Sequence, residues 1–490
     1  MRWLDLAIIV AYLLAITWFG ARFRTRQRSL ESYFLGGRTI PWWAIALSIV
    51  SAETSTLTVI GTPALSFTGN FGFLQLVLGY LLARVVISAL FLPAYFRGEM
   101  FTAYELMRVR FGPRIRRLTA ATFLVLRALA EGVRVFAISI VISIVLGTGE
   151  MVSIAAIVGL TLVYTYEGGM TAVIWTDVVQ MVLYVAGAAV SLAAILHQIP
   201  GGWAHVAGLA APLGHFQVFD FHLGPPRDFF SRPYTFWAGI IGGCFLTTAS
   251  HGTEQLMVQR LLAARSQRES RTALLSSWVA IFVQFTLFLI IGVCLFVWYS
   301  DRGLPTPSVT DSIYPRFVWE QLPPGIAGLV IAAILAAAMS NLSAALNSLA
   351  STTVMDFWRA LQPGKSNDAA WLRRARLATL AWGAILFAIA LVARGWGSVL
   401  QAGLSIASIL YGSLLGVFLL GLLTKRVGET AAMCGMIAGL AVMLYVRLAT
   451  PIAFTWYVLI GTAATVAVGL VAHALMRAAS RLFSTQSEPA

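Results

Sequence analysis

Four side chains within residues 331–352, IAAILAAAMSNLSAALNSLAST, have the types and spacing to hold a small hard cation. At about 100° per residue, Ser340, Ser343, Asn347 and Ser351 fall within roughly 80° of one another on a helix. Alanine and leucine fill most of the gaps between them. The segment is apolar enough to sit in a bilayer, where a helix facing only lipid has no use for a hydroxyl stripe. A helix that donates oxygen ligands to a hard cation does.

A second concentration of polar groups lies in WWAIALSIVSAETSTLTVIGTPALSF, residues 42–67. Ser51, Glu53, Thr54, Ser55, Thr56 and Thr58 crowd its centre, and Gly61–Thr62–Pro63 follow. This composition predicts a broken helix whose unwound carbonyls face a cavity, with Ser and Thr satisfying freed backbone groups. A Ser/Thr-rich packing seam between helices is the alternative. Glu53 favours the break, because an acid at membrane depth needs a proton, a cation or a counter-charge. Its structural alternative is an ion pair with Arg84, Arg127 or Arg134. Asp177, the second acid near membrane depth, reads as lining an inner water-filled path or binding a cation, with a structural role as the alternative. Arg127, Glu131 and Arg134, at i, i+4 and i+7, form one stripe with internal charge compensation and read as a structural network. His251 reads as a satisfied polar residue. No grouping suggests catalysis, and a phosphate loop, a Cys/His metal spacing and a Ser-His-Asp arrangement are all lacking.

These residues must be positioned by membrane helices. Hydrophobic residues make up 59% of the 490, and charged residues 11%, against roughly 25% charged in soluble domains. Mean hydropathy is +0.82. The chain reads as an all-α polytopic membrane protein of one transporter domain, residues 1–490, with about thirteen spans. The first apolar segment is read as a span rather than a cleaved leader, since no basic region precedes it. The net charge of +14 suggests no nucleic-acid partner, because the basic residues gather in alternate loops. Of 34 Lys+Arg, 24 fall in connections on one side and seven on the other. That asymmetry predicts an outside N-terminus, a cytoplasmic C-terminus and a place in the cell membrane, the inner membrane if the source is bacterial. Cys244, Cys294 and Cys434 read as packing residues. The connections at 197–232 and 301–324 are expected outside, with short helices.

Four segments together resemble the sodium/solute symporter family, which includes sodium/glucose and sodium/proline transporters. They are WWAIALSIVSAETSTLTVIG, YTYEGGMTAVIWTDVVQ, GTEQLMVQRLLAA and AAAMSNLSAALNSLASTTVMDFW, and FLLGLLTKRVGETAAMCGMIAG fits as a fifth. They occur in family order over 42–440. The resemblance implies a LeuT-type fold with two inverted five-helix repeats, 42–196 and 233–424. Residues 1–41 would supply a first helix and a cytoplasmic loop, and 425–490 two C-terminal helices and a tail. It implies a main sodium site with carbonyls of Ser51, Thr54 and Ala337 and the hydroxyl of Ser340. Asn341 stands where the family usually has a second Ser or Thr, and an amide oxygen also suits a hard cation. A second sodium site would use Asp177, Ser340 and Ser343, with Ala344 replacing a further Ser.

Glu53 falls where proline transporters have an acid and sugar transporters an Asn; Leu404 aligns with a sugar-binding Gln. With Ser55 and Thr58, these are the positions expected to meet the solute or couple it. The sugar ligands do not carry over, and a sugar's hydroxyls would lack partners. The run TVIGTPALSF resembles the monocarboxylate, iodide and vitamin branches, which favours a small carboxylate, amino acid or related zwitterion. The implied function is sodium-coupled symport by alternating access, with no cofactor, in a monomer or weak oligomer. Proton coupling through Glu53 and a non-transporting sensor are the alternatives, and an enzyme is not expected.

Overall fold

A computed structural model describes residues 2–22, 36–97, 103–164, 170–358 and 368–485. Among these residues the secondary structure is helical, with one isolated bridge between Ile40 and Ala264. The principal helices are α1 (Trp3–Ala21), α2 (Trp42–Glu53), α3 (Thr56–Thr68), α4 (Phe73–Val86), α5 (Pro113–Leu146), α6 (Glu150–Tyr164) and α7 (Met170–Gln198). They continue with α8 (Gly243–Gly252), α9 (Gln255–Leu262), α10 (Gln267–Asp301), α11 (Ile326–Thr352) and α12 (Asp368–Ala393). The last three are α13 (Val399–Leu423), α14 (Glu429–Ala449) and α15 (Tyr457–Thr485).

Among the described residues, seven helices are long and apolar enough to cross a membrane, or eight if the bent pair α2–α3 forms one span. Four shorter apolar helices, Trp3–Ile16, Glu150–Gly159, Ile326–Leu335 and Leu377–Ala393, fall on further segments expected from the sequence. The expected external connections hold short helices at Gly202–Ala210, Pro226–Ser231 and Ile313–Gln321. Leu4, Val10, Leu14 and Leu448 are exposed, a face that suits hydrocarbon rather than water.

The chain forms two compact units. The first draws on Met1–Leu74, Leu124–Asp220 and Arg260–Leu404. In it, α2 and α3 pack on α10, and α2 also packs on α7. Trp43 and Trp175 meet edge to face at 5.5 Å. The α3–α10 contact is backbone-close: Ser66 Oγ donates to Leu289 O at 2.8 Å, and a Cβ on Gly292 would lie 2.1 Å from Pro63 O. Helix α1 is fastened to the start of α11. Its Asp5 carboxylate accepts from the amides of Gly325 (2.7 Å) and Gly328 (2.8 Å), which supplies negative charge where the helix dipole is positive.

The second unit draws on Gln75–Phe123, Phe221–Gln259 and Ser405–Ala490. Glycines let its helices approach closely, as small residues do in membranes. A Cβ on Gly439 of α14 would lie 2.0 Å from Thr465 Oγ1 of α15, and one on Gly412 of α13 2.9 Å from Gly461 of α15.

Candidate functional site

The polar run at 51–58 folds as the break expected of it. Helix α2 ends at Glu53, Thr54 and Ser55 are extended, and α3 leaves at 63° to α2. Thr54 turns back on α2, with both its amide (2.8 Å) and its Oγ1 (2.7 Å) donating to Val50 O. The carbonyls after Val50 are then helix-terminal groups without a next turn to bond them. Thr58 Oγ1 donates to Glu53 O in a long 3.5 Å bond. On the far side, the amides of Thr58 and Val59 both donate to Ser55 O. The break therefore presents the carbonyl end of α2, with negative partial charge, beside the amide end of α3, with positive. One end suits a cation and the other an anion.

Two residues unnamed in the sequence reading converge here. Gln284 of α10 donates Nε2 to Thr54 Oγ1 at 2.6 Å. Its Oε1 is buried without a hydrogen-bond partner among the described residues. The hydroxyl of Tyr184 on α7 lies near the Ser51 and Thr54 side chains, yet meets no partner in hydrogen-bonding geometry among the described residues. Buried oxygens left unmatched are costly, and a cation at the break would give both a use. Glutamine within the apolar run of α10 was the signal that could have found one of them.

On the anion side, Ser55, Thr56, Glu131, Arg134, Asn341 and Leu342 line a cavity of ≈ 10 Å³, room for about one water. Glu131 binds Arg127 at 2.9 Å and also Arg134 in a shorter contact, so the stripe on α5 is the compensated network expected. It carries one more cation than anion, and Arg134, the most exposed of the three at 27%, lines the cavity.

Other candidate residues fall as follows. Ser51, Thr54, Ser55 and Thr58 are buried and Glu53 is half-buried. Leu404 is half-buried on α13, beside Gly403, whose Cα approaches Leu57 of α3. The backbones of Ala337, Ser340 and Ser343 are helical within α11, but their side chains lie outside what the structure describes. Asp177 is buried in a triad: its Oδ2 accepts from Ser48 Oγ (2.6 Å) and Arg260 Nη2 (3.0 Å), and Arg260 Nε donates to Ser48 Oγ (2.9 Å).

The sequence matches the sodium:solute symporter family over residues 33–439. The chain belongs to that family. It is 28% identical to the sodium/sialic acid symporter of Proteus mirabilis, over 99% of this chain and 98% of that one. It is 31% identical to the human sodium/iodide cotransporter, over 88% and 67%. A solved Na+-coupled sialic acid symporter, substrate-bound and outward-open, superposes with a TM-score of 0.82 at 26% identity, covering 96% and 98%. A nucleobase-cation-symport transporter shares the fold alone, with a TM-score of 0.57 at 12% identity. The symporter is thus a LeuT-type membrane transporter of a sodium-coupled family rather than an enzyme.

This symporter has a second interruption, between α8 and α9 at Thr253–Glu254, in the segment HGTEQL. Thr253 Oγ1 donates to Ala249 O at 2.7 Å, and buried Glu254 accepts from Tyr411. The second repeat expected over 233–424 carried no such break near its start. Gly252 followed by Thr253 was the available signal.

Asp311 lies in the connection between α10 and α11, outside the spans. Its Oδ2 accepts from the Val399 amide at 3.0 Å, at the start of α13. Its Oδ1 is buried without a partner among the described residues, and a Cβ on Gly61 of α3 would sit 3.5 Å from it. The residue is 2% exposed. Burial pushes its carboxyl up to about 6, partly offset by the Val399 amide. An acid held this way binds its proton more tightly folded than unfolded. The associated stability is present below about pH 4 and is lost as pH rises to about 6. Asp311→Asn should therefore stabilise the protein at pH 7.5, by up to about 3 kcal/mol. It should also flatten the stability profile between pH 4 and 6, as read by thermal unfolding across pH. An unchanged profile would show that Asp311 is already compensated.

Proposed function

We infer that this protein imports a small organic anion or zwitterion carrying a carboxylate, driven by inward sodium flow. The observation that carries the reading is the two-ended break at Thr54–Ser55. The carbonyl end of α2, with Gln284 and Tyr184 nearby, gathers oxygens for a cation. The amide end of α3 faces a cavity shared with Arg134 and Asn341. Main-site ligands would be the carbonyls of Ser51, Thr54 and Ala337 and the side chains of Ser340 and Asn341. Glu53, Ser55, Thr58 and Leu404 would meet or couple the solute. Relatives named for sialic acid, iodide and monocarboxylates have anionic solutes in common, a class that suits the amide end of α3 beside the Arg134 guanidinium better than a neutral sugar does.

Two charges bound side by side account for coupling. Sodium on the carbonyl end and a carboxylate on the amide end attract one another across a site poorly screened by water. Each therefore raises the affinity of the other, and by linkage the effect is reciprocal. With room for only about one water between Arg134 and Asn341, a solute needs these helices to part. Thirteen spans in two inverted repeats, with the N-terminus outside and the C-terminus cytoplasmic, would supply that motion by alternating access.

The test is uptake into liposomes holding the purified protein, over a panel of labelled carboxylates (sialic acid included), amino acids and neutral sugars. Uptake of a carboxylate that needs a sodium gradient and ignores a pH gradient is expected. Uptake driven by pH alone would transfer coupling to a proton on Glu53, and sodium-driven uptake of neutral sugars alone would overturn the solute class.

A further inference from the structure

A cavity of ≈ 650 Å³ lies in the second unit between the end of α13 and the stretch Leu470–Ala478 of α15. Lys425, Arg426, His473 and Arg477 line it together with Leu423 and Leu470, and among the described residues its lining contains no acid. It plays no part in the site described above.

Three features define what would fit there. First, the cavity stands where apolar surface gives way to basic surface. Leu423 is 63% exposed and Leu470 44%, and Val471, Leu475 and Met476 beside them are exposed as well. Second, α15 has 29 residues, about 43 Å of helix, which exceeds a hydrocarbon thickness of roughly 30 Å. Its C-terminal turns, from about Arg477 onward, therefore reach headgroup level. Third, the charge is not cancelled locally. A helix C-terminus normally contributes a negative field, yet just beyond the end of α13 the guanidinium of Arg110 supplies a compensating cation. Arg110 donates Nη2 to Thr424 O at 2.7 Å and to Val427 O at 3.3 Å. Glu429, the nearest acid in sequence, is spent on the amides of Arg114 (2.6 Å) and Ile115 (3.1 Å).

We propose that this cavity is a binding site for an anionic phospholipid, with the phosphodiester between Lys425, Arg426 and Arg477 and the acyl chains along Leu470, Val471 and Leu475. A phosphodiester is an acceptor that arginine forks match well. Basic pockets beside membrane helices on the cytoplasmic side are suited to such headgroups. A soluble phosphate would use the same cations but would leave the exposed leucines uncovered.

The test is thermal unfolding of the detergent-purified protein, titrated separately with phosphatidylglycerol, phosphatidylcholine and inorganic phosphate. Phosphatidylglycerol should raise Tm saturably, because a ligand of the folded state stabilises by mass action. Phosphatidylcholine and inorganic phosphate should not. The triple change Lys425→Gln, Arg426→Gln and Arg477→Gln should raise the half-saturating phosphatidylglycerol concentration at least tenfold. A pair of changes at exposed positions outside the cavity lining, Arg268→Gln and Arg271→Gln, should leave it unaltered. If the triple variant does not fold, Arg477→Gln alone, at an exposed helix position, should shift it about threefold. Equal responses of wild type and variants, or of the two lipids, would overturn the site. A shift reproduced by inorganic phosphate would reassign it to a soluble anion.

Discussion

Asp177→Ala should destabilise the folded protein by about 3–5 kcal/mol, whether sodium or choline is the cation in solution. Asp177 and Arg260 are almost wholly buried, with side-chain exposures of 8% and 4%. Removing the acid leaves a guanidinium in a low-dielectric interior without its carboxylate, while its bond to Ser48 Oγ remains. Losing one partner of a buried pair costs far more than replacing both. The paired change Asp177→Leu with Arg260→Met should accordingly recover most of the loss. Thermal unfolding of the three variants with and without sodium reads both effects. The comparison also decides what Asp177 is for. As a ligand of a second sodium site, its loss would be visible mainly when sodium is present. As the acid of a triad that ties α2, α7 and α9 together, its loss is independent of the cation. The geometry favours the triad, because Oδ2 already accepts from two donors.

Ser340→Ala should raise the sodium concentration for half-maximal uptake at least tenfold, equivalent to about 1.4 kcal/mol. Ser340→Thr should restore it. The proposed main site takes three carbonyls from the backbone, which no side-chain change removes. Its side-chain oxygens come from Ser340 and Asn341, so losing a hydroxyl leaves a hard cation short of a ligand that the apolar surroundings cannot replace. Sodium-dependent thermal stabilisation gives the same readout without transport. An unaltered sodium requirement in both assays would remove Ser340 from the site and leave Gln284 and Tyr184 as the side-chain oxygens to test next.

Most of the local architecture was legible in the chain. The break at Thr54–Ser55 follows from its own residues: hydroxyls that bond nearby backbone, an acid that shuns lipid, and Gly61 and Pro63 soon after. The Arg127–Glu131–Arg134 network was legible for the same reason, since helical spacing places i, i+4 and i+7 on one face. The break at Thr253–Glu254 passed unread because a single Gly–Thr step in an apolar run is a weak interruption. Tyr184 and Gln284 passed unread because an isolated tyrosine or glutamine in a span looks like a satisfied packing residue until its neighbours are known.

By itself, the sequence determined that this is a bundle of membrane helices with a broken polar helix at 51–58 and a hydroxyl-striped helix at 340–351. Hydropathy, periodicity and helix breaking are properties of a few adjacent residues. Only the tertiary structure decided which distant groups meet. Ser48 and Arg260 stand 212 residues apart and share Asp177. Gln284 reaches Thr54 across 230 residues, and Arg134 and Asn341 come to one cavity from different helices. No local pattern encodes such pairings. They are selected when buried charges and hydrogen-bonding groups, deprived of water, must find partners among whatever helices pack beside them.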